Sequence, residues 1–163
     1  MMKKVSAALL LTLVLALTIG SVVTASAPSG ASGSGKFSNG ADRIFSFTAV
    51  QSGPDYAATG QGQLVRTDEQ LRFHFAVDCL RVEGNTAYVS GKVTNSNLWG
   101  AGWPVWFKVV DNGEGSNATP DQMTPLVGWD PADYDLDYPP VTCAGDPGWL
   151  DLIDVASGNI QVR

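Results

Sequence analysis

The sequence predicts an all-β protein, an antiparallel meander of about seven or eight short strands closing into a small barrel or sandwich and tied by one disulfide. Three observations carry this expectation. Apolar residues alternate with polar ones at period two in several short segments. Gly, Asn and Asp punctuate those segments at turn spacing. No stretch after residue 27 carries an apolar stripe at the i, i+3, i+4, i+7 spacing of a helix.

The N-terminus is read separately. Lys3 and Lys4 precede an apolar run from Val5 to Ile19, and Ala25-Ser26-Ala27 supplies the small residues a signal peptidase accepts. Residues 1–27 are therefore expected to be a secretory signal peptide, cleaved after Ala27, because the run falls short of the ~20 residues a membrane span needs. The product is expected to be secreted, with no membrane contact after signal removal. The chain has 10 Lys and Arg against 16 Asp and Glu, and losing Lys3 and Lys4 moves the net charge from −6 to −8. Such a surface repels nucleic acid and anionic lipid, which excludes both as partners.

Pro28 to Asp42 is rich in Gly and Ser with one large apolar residue, Phe37, and is expected to be a flexible tether. A single β domain is then expected over 43–163. Arg43 to Gln51 alternates, with Phe45, Phe47 and Ala49 on one side. Thr59 to Arg66 reads as a weak strand with glycines where a sheet bends. Leu71, Phe73, Phe75 and Val77 share one face of the strongest segment, and Arg72, His74 and Asp78 share the other. Glu83-Gly84-Asn85 turns into a strand over Thr86 to Thr94. Val105 to Val110 is β-branched and aromatic, Asp121 to Val127 is a further short strand, and the chain closes on Asn159 to Arg163. Cys79 and Cys143, the two cysteines, form a disulfide in an oxidising compartment. It closes a 65-residue loop counted from Cys79 to Cys143, worth about 4 kcal/mol on the chain-entropy model.

Three stretches together resemble a family of uncharacterised secreted bacterial all-β domains. They are Val82 to Ala87, the Phe107 to Gly115 segment with its Asp-Asn-Gly-Glu turn followed by Pro120-Asp121-Gln122, and the terminal Gly158-Asn159-Ile160-Gln161 strand. The resemblance spans roughly residues 71 to 163. It implies an extracellular β domain, sometimes appended to larger proteins, and supplies no catalytic residue.

Candidate sites are few. His74 is the single histidine and sits on the polar face of a strand, without the context of a Ser-His-Asp triad. With both cysteines paired, thiol chemistry is gone, so the expectation is a non-catalytic interaction or structural module; a secreted hydrolase working through paired carboxylates is the remote alternative. Asp111, Glu114 and Asp121 bracket a glycine-bearing loop, the arrangement from which Ca²⁺ gathers oxygens, although Asp-Asn-Gly is also a hairpin turn in its own right. Asp130, Asp133, Asp135 and Asp137 imitate the start of an EF-hand, but Tyr138 and Ala144 stand where that loop needs Gly and Glu. Trp99, Trp103 and Trp106 fall within eight residues, and flat aromatic faces beside amides suit a glycan; Trp129 and Trp149 lie in later loops. Packing inside a barrel end is the competing role for these rings.

Overall fold

A computed structural model describes residues 28–115, 117–133 and 142–163. The expected signal peptide and Asp135 and Asp137 of the acidic run lie outside the described residues. Among the described residues ten strands follow one another: β1 (Gly30–Ser38), β2 (Asp42–Gln51), β3 (Ala57–Arg66), β4 (Leu71–Glu83), β5 (Thr86–Ser96), β6 (Pro104–Val110), β7 (Gln122–Met123), β8 (Val127–Gly128), β9 (Ile153–Asp154) and β10 (Ser157–Val162). One short 3₁₀ turn spans Pro131–Asp133. All pairings are antiparallel, in the order β10-β1-β2-β3-β4-β5-β6-β7-β9, with β8 against β6. The all-β meander and its disulfide are as the sequence predicts.

The sheet curls into a half-barrel. Phe47 on β2 meets Phe107 on β6 edge to face at 5.0 Å. Those strands are four apart in the sheet, about 19 Å if it were flat, so only strong curling brings the rings together. Phe75 of β4 completes the cluster, 5.7 Å from Phe107. Around it pack Phe45, Leu64, Phe73, Val89, Val105, Val109 and Ile160, all buried and all on the alternate positions that period two assigns to one face. On β4 the phase shifts at the irregularity in the β4–β5 register between Val77 and Cys79, so that Leu80 rather than Cys79 turns inward.

Residues 28–42 are not a tether. Most of them form β1, paired along its length with β2 and with β10, and Phe37 is fully buried. The glycines that suggested flexibility are required by close approach: a Cβ on Gly35 would lie 2.3 Å from the Ser157 carbonyl oxygen, and one on Gly33 would press on Ile160. Gly-Ser composition lowers local propensity, but two flanking strands supply the hydrogen bonds that order it. The domain therefore begins at Gly30, not Arg43. The strand expected over Asp121 to Val127 is also divided, because Thr124 leaves the ladder. Its N–H donates to the Lys108 carbonyl while its hydroxyl accepts the Lys108 N–H, and β7 and β8 lie on either side.

The C-terminal segment joins the two ends of the sheet. β9 pairs with β7, and two residues later β10 pairs with β1. Between them Val155 donates to the Asp121 carbonyl at 2.7 Å and Ala156 donates to the Lys36 carbonyl at 2.8 Å.

Candidate functional site

The face of the sheet opposite the core carries an open trough of about 890 Å³. The register ladders explain its shape. One row of outward positions reads Gln161, Ser32, Thr48, Gln61, Ala76 on successive strands β10-β1-β2-β3-β4. The neighbouring row reads Asn159, Ser34, Ser46, Gln63, His74, and Thr94 of β5 extends it. Each of the first five strands thus contributes two side chains, and the trough runs across the strands rather than along them. Glycines form part of its floor: Gly62 leaves room for the Phe75 ring beneath it, where a Cβ would come within 2.2 Å. Among the described residues, none that lines the trough is Asp, Glu, Lys or Arg. In a chain of net charge −6 that is a distinct chemical environment: hydroxyls, carboxamides and one imidazole.

Glu114 lies beside the β10 end. Its Oε1 accepts from Asn159 Nδ2 at 3.1 Å and from Gln161 Nε2 at 3.0 Å, so one carboxylate orients both amides of that strand. Asp111 and Asp121 work just behind it. Gly30 and Arg163 exchange both amide hydrogen bonds, which sets alternate β10 amides facing away from β1. Ile160 N–H donates to Asp121 Oδ2 at 2.7 Å, and Val162 N–H donates to Asp111 Oδ2 at 2.9 Å. The other oxygens are also engaged: Asp121 Oδ1 accepts from Asn112 N–H and Asp111 Oδ1 from Gly113 N–H, both at 2.9 Å. The Asp111, Glu114, Asp121 set, read from the sequence as either a Ca²⁺ loop or a plain hairpin turn, forms a seam that holds β10. Among the described residues no group of three or more His, Cys, Asp or Glu side chains is placed to hold a metal ion. Sequence spacing brought the carboxylates to one loop correctly; it could not show that backbone N–H groups from residues about 40 to 50 positions away would meet them.

The tryptophans do not assemble into a platform. Trp106 is fully buried on the outer side of β6, its ring 6.5 Å from that of Tyr88. Trp99 and Trp103 are half-buried against the core, Trp99 lying 4.3 Å from the Phe73 ring and over Gly128. These rings plug and pack, the competing role that barrel ends give tryptophan. Trp149 is exposed. His74 is exposed on β4 beside Gln63, as the alternation required.

A second, small layer covers the outer face of β4, β5 and β6. Cys143 is buried and bridged to Cys79, with Cα atoms 5.7 Å apart. Its N–H donates to Ser90 Oγ, and its carbonyl accepts from Arg81 Nε at 2.8 Å. The Arg81 guanidinium lies 3.8 Å over the Tyr88 ring and pairs with Glu83. Lys108 Nζ meets Asp146 Oδ2 at 2.7 Å. Burial works to raise the Asp146 pKa, but hydrogen bonds from Lys108 and the Gly148 N–H, with the Lys108 and Arg81 charges, outweigh it and leave the carboxyl below its ordinary value.

The trough is the feature that residue-by-residue reading passed over. Its signal was present as uncharged polar residues at alternate positions: Ser46 and Thr48, Gln61 and Gln63, Asn159 and Gln161. Comparison with protein-family models, with curated proteins and with solved structures finds no match for this chain.

Proposed function

We propose that this protein is a secreted, non-catalytic binding module whose ligand is a neutral, hydroxyl-rich glycan held on the polar face of the sheet. The observation that carries the reading is the uncharged trough across β10 to β5. Carboxamides and hydroxyls both donate and accept, which matches a sugar's own hydroxyls and gives no charge preference. The reading as a binder rather than a catalyst is supported by spacing. Ser46 and His74 stand two strands apart with Gln63 between them, about 10 Å, beyond hydrogen-bond reach for a nucleophile and its base. Secretion is supported by the leader-like N-terminus and is compatible with the Cys79–Cys143 bridge.

The test is affinity electrophoresis of the purified protein through gels containing soluble neutral polysaccharides of several linkages. Retardation by at least one, relieved by Gln61→Ala with Gln63→Ala, is expected. Mobility unchanged in all of them, or retardation only in polyanionic gels, defeats the reading.

A further inference from the structure

The dimensions of the trough say more than its chemistry. The five strands from β10 to β4, spaced about 4.8 Å apart, make the paired rows about 19 Å long, while two rows separated by two residues make them about 7 Å wide. A single sugar ring would fill a fraction of that length. The site is open to solvent rather than enclosed. Polar groups repeat along its axis at the strand spacing, from Gln161 through Ser32 and Thr48 to Gln61 in one row. A repeating array answers a repeating ligand.

We infer that the trough recognises an internal stretch of a linear, neutral polysaccharide lying across the strands, with one end of the bound segment at β10 and the other at β4. This rests on the glycan reading above and adds orientation, length and independence from chain ends. Two structural details support it. Glu114 fixes Asn159 and Gln161 at the β10 end, so that end is oriented before a ligand arrives. His74 and Gln63 are register partners at the opposite end, the one place in the trough where an imidazole is available. The shared backbone ladder fixes the separation of the two ends, so a ligand must reach both to gain from both.

The experiment is competition. The polysaccharide that retards the protein is displaced by its own oligosaccharides, from the monosaccharide to the hexasaccharide, each also with its reducing end converted to the alditol. Displacement should strengthen at least tenfold from disaccharide to hexasaccharide, and end reduction of the hexasaccharide should change nothing. Gln161→Ala and His74→Ala, at opposite ends, should each weaken the hexasaccharide several-fold and leave the disaccharide unaltered. A disaccharide as effective as the hexasaccharide, or binding lost on end reduction, overturns internal recognition while leaving a glycan site intact. A protein that no neutral polysaccharide retards defeats the underlying reading as well.

Discussion

Asp121 accepts the amide of Ile160 on one carboxylate oxygen at 2.7 Å, and through that bond the β6–β7 connection closes onto the outer edge of β10. Asp121 is 7% exposed, and its second oxygen accepts the Asn112 amide. The carboxylate thus satisfies two backbone donors that no strand reaches, and both bonds are charge-assisted. Asp121→Ala should therefore cost about 3 kcal/mol, because it leaves a buried amide without an acceptor. At this chain length that is a fall in Tm of roughly 10 °C, read by circular dichroism. Asp121→Asn, with one oxygen for two donors, should fall between. A Tm within a degree of wild type for the alanine variant would refute the seam.

Calcium should not stabilise this loop. Each oxygen of Asp111 and Asp121 already accepts a backbone N–H, and among the described residues no group of three or more His, Cys, Asp or Glu side chains is placed to supply the six to eight oxygens Ca²⁺ takes. Melting curves in millimolar Ca²⁺ and in Mg²⁺ at equal ionic strength should coincide. A Ca²⁺-specific rise of several degrees, lost in Glu114→Gln, would restore a metal site here.

β1 should be indispensable. Phe37 is fully buried, meets Phe45 edge to face at 6.0 Å, and sits in a segment whose composition suggests a linker. Phe37→Ala should destabilise by about 3–5 kcal/mol, the usual cost of emptying an aromatic core site. Gly35→Val should be as damaging, since the added side chain would enter the Ser157 carbonyl. Urea titration would measure both. Wild-type midpoints would mean that residues 30–38 do not belong to the sheet in solution.

The disulfide should matter to the outer layer more than to the barrel. Cys143→Ser releases the residues that seat on Arg81 and Ser90 but leaves every core ring in place. The expected loss is about 2–4 kcal/mol with the far-ultraviolet β spectrum retained. Tryptophan emission should shift to the red as Trp106, beside Ser90 in the β5–β6 register, meets water. Loss of the β spectrum under native conditions would show instead that the bridge holds the fold itself.

The Lys108–Asp146 pair predicts an acid limb. Asp146 has a folded pKa below its unfolded one, so its contribution is present above the unfolded value, near 4, and disappears as pH falls through the folded value. The group is partly exposed, so the effect should not exceed about 1 kcal/mol. Asp146→Asn should flatten the stability difference between pH 5 and pH 2 by up to that amount. An unchanged acid limb in the variant would show that the pair contributes nothing.

The sequence alone determined the local facts. Period-two alternation at Phe45, Phe47 and Ala49 and at Phe73, Phe75 and Val77 named the strands and their buried faces, because a strand's side-chain period needs no knowledge of its neighbours. Turn residues such as Gly84, which adopts φ +61°, placed the hairpins, and two cysteines allowed one pairing. Tertiary structure decided whatever depended on distant partners. β1 is a strand because β2 and β10 flank it, against the propensity of its own glycines and serines. Asp111 and Asp121 cap β10 because the curled sheet carries its C-terminal edge to their loop. Gln61, Ser46 and Asn159 share one trough because the register sets them side by side. Local pattern reports what a residue does to its own backbone; register and curvature decide which residues, far apart in sequence, complete one surface.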